Sequence, residues 1–333
     1  MDLETYLPAI EATLQQAVAP LEDGFTDELH HMMCYHLGWQ GDGAGVEARG
    51  KRIRPLLVIL TAAAAGGEWR TALPAAAAVE LVHNFSLIHD DIEDNSPLRR
   101  GRATLWKIWG IPQAINAGDA MFTLAHLTVL ELEQALPAAT VLAAARTLQR
   151  ACLLLTEGQH LDLAYESRND LTLDAYWPMV RGKTGALLSA CTRLGALVAD
   201  TPAPVLEAYE SFGRDLGLAF QAQDDLLGIW GDAALTGKSA ESDLASGKKS
   251  LPVLYGLSQE GEFAQRWAQG PIQPEEVTHL AKLLRQAGAY DYTQSRANQL
   301  TEQALAELEK AQPHGEAGQA LRSLARRLLH RQG

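Results

Sequence analysis

An all-α fold, a single helical bundle, is predicted by three features of the chain. Alanine, leucine and glutamate dominate its long segments, and the Val/Ile/Thr-rich alternating runs that mark strands are missing. Short clusters of glycine, proline and polar residues punctuate the segments. One segment, AAAAVELVHNFSLI, is apolar almost all round, as a buried helix must be.

About ten helical segments follow from this pattern. The first runs from about Asp2 to Ala17 and the second from Asp27 to His36. GDGAGVEARG then reads as a loop, and Pro55 suits the first turn of a helix reaching Ala65. The apolar helix extends from about Leu73 to Asp94 and ends in HDDIED. Carboxylates at a helix C-terminus oppose the helix dipole, so positive charge is expected there. The basic loop Pro97 to Thr104 supplies it. Further helices are expected at about Gln113 to Gln134, Ala138 to Tyr165, Leu173 to Val198 and Pro204 to Leu227. A polar loop from Gly231 to Ser250 precedes a helix opened by Pro252, and three more helical stretches fill Glu262 to the C-terminus. No Pro/Ser-rich linker interrupts the chain, so residues 1–333 read as one domain.

At 333 residues, 47% apolar and 21% charged, the composition is that of an ordinary globular protein with a sizeable core. A net charge of -13 argues against a nucleic-acid groove, which needs a basic face. It does not argue against anionic small substrates, which local cations or bound metal can receive. Cys34, Cys152 and Cys191 are odd in number and match no metal spacing; they read as reduced thiols of a cytoplasmic protein. No secretion signal is expected from the N-terminal residues, and no apolar run is expected to reach the ~20 residues of a membrane span.

Two acidic clusters carry the chemistry. Asp90 and Asp94 lie four apart on one helix face, with Asp91 beside them. Three carboxylates this close repel unless a cation joins them, and hard ions such as Mg2+ take oxygen ligands. Arg99 and Arg100 follow, and arginine forks match phosphate oxygens. Taken alone, such a cluster is more often a solvated helix end paired with its own arginines. A second apolar helix ends in Asp224 and Asp225 and is followed by Lys238, Lys248 and Lys249; Gly228 stands where a third acid would complete the pattern. The repetition of apolar helix, acid pair and basic loop favours a metal–diphosphate clamp. Lys51, Arg52 and Arg54 place three cations before a helix N-terminus, where anions are favoured. Lys183 and Thr184 interrupt an otherwise apolar helix. Glu157 and His160 form one ExxH pair, half of what a di-metal carboxylate bundle requires, and His89 and His126 read as structural.

From Gly50 to Pro252 these segments resemble the trans-isoprenyl diphosphate synthases, and among them the geranylgeranyl diphosphate synthases most. GKRIRP, DDIEDNSPLRRGR, GQHLD, KT and FQAQDDLLGIWGDAALTGKSAESDLASGKKSLP stand in the family's order and spacing. The resemblance implies one helical domain around a deep central cavity, with the two acidic motifs facing each other at its mouth, in a homodimer. It implies a Mg2+-dependent, head-to-tail condensation of isopentenyl diphosphate with an allylic diphosphate (dimethylallyl, geranyl or farnesyl), with about three ions per site. Asp90, Asp91 and Asp94 would bind Mg2+ on the allylic diphosphate, and Asp224 and Asp225 a further ion. Arg99, Lys183 and Lys238 would bind the allylic diphosphate, and Lys51, Arg54, His83 and Arg100 the isopentenyl diphosphate. Thr184 and Gln221 would line the reaction centre, Lys248 would belong to a closing loop, and Gln159 and Asp162 would orient the site. Gly228 departs from the family's second acidic motif and puts a third metal contact in doubt.

No side-chain nucleophile is required, because departure of diphosphate leaves an allylic cation that the second substrate's double bond attacks. A class I terpene cyclase shares the first acidic motif but needs no basic site such as GKRIRP. A non-catalytic partner subunit tends to lose its acidic motifs, which are nearly complete here. Phe85, five residues before Asp90, with the small Ser86 beside it and Val82 one turn further, resembles the cavity floor of C20 producers, with C15 or C25 and longer products as the alternatives.

Overall fold

The computed structural model describes residues 5–20, 27–231 and 242–329, and almost all of them are helical. They group into two compact units, one formed by Met1–Gln149, Cys191–Leu206 and Gln312–Leu321, the other by Arg150–Ala190, Glu207–Ala311 and Arg322–Gly333.

The first unit is built around α5 (Leu73–Glu93). Ala75, Ala76, Ala77, Ala78, Val79, Leu81 and Val82 are all buried there, and the run of small side chains lets other helices approach its backbone closely. α5 packs most extensively on α7 (Ile111–Leu130), and also on α4 (Ile53–Ala64) and α1 (Leu7–Ala17). Gly118 of α7 is required by this packing, because a Cβ there would collide with the His89 ring of α5. α2 spans Asp27–His36, as the sequence predicts.

Three local features differ from the sequence expectation. The segment read as a loop after α2 contains a helical turn, α3 (Val46–Arg49). The basic loop is a short antiparallel ribbon, with β1 (Leu98–Arg99) paired to β2 (Arg102–Ala103). Its two-residue turn is Arg100–Gly101, and both have positive φ (52° and 74°), as a tight hairpin turn demands. The helix expected from Gln113 begins earlier, because α6 (Leu105–Trp109) and α7 are separated only by Gly110 at φ 84°.

α8 (Ala138–Glu166), α10 (Ala186–Val198), α11 (Ala203–Trp230) and α17 (Gly315–Leu329) contribute residues to both units; α9 (Leu173–Val180) belongs to the second. Between α9 and α10 the chain makes one π-helical turn, Arg181–Gly185. The described part of the polar segment before Ser250 contains α12 (Ser242–Ala245), and α13 (Leu251–Ser258) follows. Four helices rather than three occupy the region after Glu262: α14 (Glu262–Trp267), α15 (Val277–Gln286), α16 (Ala289–Lys310) and α17. Gly288, at φ 85°, divides α15 from α16. Phe263, Trp267, Val277, Leu280 and Leu284 form a core here with Ile229, Leu244 and Val253.

Two helical runs, Trp69–Glu93 and Ala138–Glu166, are long and apolar enough by length and composition to cross a membrane, contrary to the sequence expectation. The most apolar window of the first is 61% buried inside the protein, and its one central acid, Glu80, is ion-paired to Arg52, so it is a core helix. Cys34, Cys152 and Cys191 are buried and free, and burial pushes the Cys152 and Cys191 thiols up to about 12.

Candidate active site

Within the first unit, the cations of GKRIRP separate. Arg52 caps α4 in the left-handed region (φ 46°), which turns its side chain inward. There it meets Glu11 at 2.6 Å and Glu80 at 2.8 Å and donates to the Leu37 carbonyl. Only 3% exposed, it serves the core, while Lys51 is exposed and Arg54 half-buried. Removing one partner of a buried ion pair leaves the other uncompensated. Arg52→Ala is therefore expected to cost about 3–5 kcal/mol of stability. A denaturant melt unchanged from wild type would contradict this.

Gly50, at φ 74°, brings a second segment in. A Cβ there would lie 2.7 Å from the Arg100 guanidinium carbon, and Arg100 donates to the Ala48 carbonyl at 2.8 Å. The hairpin turn is thereby held against the loop that carries Lys51. The cations depress their neighbours. Burial, and then Arg54, Arg100 and Arg99, hold His83 well below the ordinary histidine range. Burial, with Arg99 and Arg100, lowers His36 to about 3. His36, at the end of α2, lines a small cavity with Asp91, Arg99, Arg100, Arg102 and Thr104. Its Nε2 and the Nε of Arg54 are buried without a hydrogen-bond partner. Burial first, and then the neighbouring cations, keep both histidines neutral. His36 carries no sequence motif and could not have been found from the chain alone.

The three acids at the end of α5 sit differently from one another. Asp91 is 2% exposed, and its Oδ1 accepts from Arg99 Nε at 2.8 Å and faces Arg99 Nη2 at 2.7 Å. Arg99 Nη2 lies 3.6 Å from Asp90 Oδ2. Asp90 is half-buried and Asp94 exposed. Burial raises the Asp91 pKa while Arg99 opposes the rise. Among the described residues no three His, Cys, Asp or Glu side chains converge as a preformed metal cage. The donors are carboxylate oxygens only. They fit an ion such as Mg2+, which is usually held by one or two carboxylates and completes its shell with water and phosphate oxygens.

One turn before Asp90, the Phe85 ring meets Phe122 of α7 edge-on at 4.9 Å and His89 at 5.5 Å. Phe122 in turn meets His126 at 4.5 Å. Val82 is fully buried, and Ser86 Oγ donates to the His83 carbonyl. Phe122 completes an aromatic pair with Phe85 that spacing within α5 could not reveal.

Within the second unit, Gly158 of α8 and Gly182 touch backbone to backbone, and a Cβ on either would collide. This contact seats the π-turn so that Lys183 Nζ reaches Asp162 at 2.5 Å. Thr184 Oγ1 donates to Gln221 Oε1 at 2.7 Å, and Gln221 Nε2 donates to Asp225 Oδ1 at 3.0 Å. Asp225, 1% exposed, also accepts from Tyr176 Oη at 2.8 Å and Leu251 N at 2.9 Å. Burial raises its carboxyl to about 6, with Lys248 opposing. Asp224, on the next position, is half-buried. Burial works against the charge of Lys248, but Asp243, Asp225, Asp162 and Asp224 outweigh it and hold the ammonium protonated.

Gly228 has a tertiary explanation. A Cβ there would collide with Asp243 Oδ2, so the missing side chain leaves the space that the Asp243 carboxylate fills. Lys248 Nζ is 3.9 Å from that carboxylate. Tyr176 lies outside every sequence motif, and Asp243, inside the last of them, is not among the residues whose spacing points to a role. Lys238 lies outside the described residues. Glu157 and His160 are exposed on α8 and belong to no metal cluster among the described residues.

Residues 44–286 match the family model for polyprenyl synthetase. A (2E,6E)-farnesyl diphosphate synthase of Mycobacterium tuberculosis is 40% identical over 306 residues, covering 89% of this chain and 83% of that protein. A geranylgeranyl diphosphate synthase of the same organism is 41% identical over 297 residues, covering 87% and 84%. The crystal structure of a polyprenyl synthetase from Streptomyces coelicolor matches with a TM-score of 0.88 at 35% identity, covering 98% of each chain. With the acid-terminated helices and their cationic neighbours in place, the chain belongs to the polyprenyl synthetase family and has its all-α isoprenoid synthase fold.

Proposed function

We propose that the chain is a Mg2+-dependent prenyltransferase, acting as one domain, that condenses isopentenyl diphosphate head-to-tail with an allylic diphosphate to give mainly a C20 product. The observation that supports it most is the cation cluster of the first unit, held beside the carboxylates that end α5. Lys51, Arg54, His83 and Arg100 bind isopentenyl diphosphate. Arg99, Lys183 and Lys238 bind the allylic diphosphate. Asp90 and Asp94 are the residues of the first motif that would hold Mg2+, with Asp91 paired to Arg99, and Asp224 is that of the second, with the enclosed Asp225 beside it. When bound, the ion neutralises charge that builds on the departing diphosphate.

The chain's own groups do the rest. Fixed guanidinium and ammonium groups stabilise the same developing charge without reorganising. Thr184 and Gln221 present oxygen atoms to the allylic cation. Lys248 and Asp162 fix the surroundings of Lys183, and apolar walls keep water from the cation. The released diphosphate takes the final proton, so no side-chain base is needed. Ile111, Ile115, Leu127 and Leu130, exposed along α7, support a homodimer that covers them.

Two relatives of nearly equal identity carry the names of a C15 and a C20 synthase, so likeness does not choose between the products. The Phe85–Phe122 pair with the small Ser86 favours C20. Incubation with isopentenyl diphosphate, each allylic starter and Mg2+, read by product mass, tests the whole reading. A C20 product is expected, with none in EDTA, and full turnover in EDTA would end the metal assignment. Phe85→Ala is expected to lengthen the product and Ser86→Phe to shorten it. An unchanged distribution in both would place the floor elsewhere.

A further inference from the structure

Resting on that reading, we infer that Tyr176 is a positioning residue of the reaction: through Asp225 it sets the direction of the hydrogen-bonded pair Gln221–Thr184. The argument follows donors and acceptors. Asp225, as a carboxylate, can only accept. Gln221 must therefore turn its Nε2 towards Asp225 Oδ1, at 3.0 Å, which leaves its Oε1 facing Thr184. Thr184 has one hydroxyl proton, and it is committed to that Oε1 at 2.7 Å. The Thr184 oxygen is left with lone pairs and no donor, the polarity that suits a neighbouring cation and not an anion.

What keeps Asp225 in place comes from two other elements. Leu251 N, at the start of α13, donates to its Oδ2 at 2.9 Å. Tyr176 of α9 donates to the same oxygen at 2.8 Å. The phenol is fully buried, and its ring packs edge-to-face with Trp177, 5.0 Å between centroids. With these three donors engaged, Asp225 anchors the relay, and Asp224 beside it is the acid left for a metal ion.

The variants separate these roles. Tyr176→Phe removes one oxygen and keeps the ring. It is expected to lower kcat about 10-fold, the loss of one hydrogen bond to a charged group, with both substrate KM values within twofold of wild type. Asp225→Asn keeps an oxygen for Tyr176 and Leu251 but turns an NH2 towards Gln221. Gln221 then flips, Thr184 becomes an acceptor, and kcat falls further. Calorimetric binding of Mg2+ with inorganic diphosphate is expected to stay at the wild-type value in Asp225→Asn and to weaken at least 10-fold in Asp224→Asn. Wild-type kcat in Tyr176→Phe, or Mg2+ binding lost equally in Asp225→Asn and Asp224→Asn, would overturn the inference. If Tyr176→Phe does not fold, Gln221→Glu, which cannot donate to Asp225, reads the same relay, and wild-type kcat there overturns it too. Wild-type protein inactive with every starter would remove the proposed function and the relay together. An active wild type with an unaffected Tyr176→Phe removes the relay alone.

Discussion

Asp224→Ala and Asp90→Ala are each expected to lower turnover by about 10^3, the effect of deleting one electrostatic contact to charge that develops in the transition state. Both acids are half-buried, whereas their neighbours Asp225 and Asp91 are almost fully enclosed. Asp90 faces Arg99 at 3.6 Å, a longer approach than that of Asp91. Asp91→Ala behaves differently. It strips Arg99 of its close partner at 2.7 Å, so it should weaken allylic diphosphate binding and stability together. Single-turnover rates with saturating Mg2+, set beside thermal melts, distinguish the cases. Near-normal rates in Asp90→Ala would mean that the first acidic motif has been given the wrong role.

Gly228→Asp brings the second motif to the full five-residue acidic pattern and yet is expected to lower activity about 100-fold. The new Cβ collides with Asp243 Oδ2, and its carboxylate joins Asp243, Asp225 and Asp224, the acids already gathered around Lys248. Overpacking alone costs about 1–3 kcal/mol, and like charges at short range add to it; ~2.7 kcal/mol is the factor of 100. Asp243→Ala in the same chain vacates the space, so the double variant should recover part of the loss. A fully active Gly228→Asp single variant would show that Asp243 moves aside freely.

Much of the molecule was legible without coordinates. The burial of α5 follows from an apolar run with only one acid in its middle, and α2 ends where its residues stop favouring a helix. The carboxylates at the ends of α5 and α11 stand at helical spacing beside basic residues, a pattern that is local and survives in one dimension. The errors were local too. The Arg100–Gly101 turn makes a ribbon because two adjacent residues take positive φ, and no periodicity reports that.

The roles within each motif belong to another level. Adjacent residues such as Asp224 and Asp225 have the same chemistry in the chain but point about 100° apart on a helix. One becomes half-exposed, and the other is enclosed by Tyr176, Gln221 and Leu251 from three separate segments. Arg52 looks like its neighbours Lys51 and Arg54 until a left-handed backbone turns it to Glu11 and Glu80, 41 and 28 residues away in the chain. Gly228 looks like a lost acid until Asp243 fills its space. Residue type and spacing are properties of the chain and mark where charge and metal chemistry collect. Which of two identical side chains faces a ligand depends on partners distant in sequence, and only the packed structure supplies them.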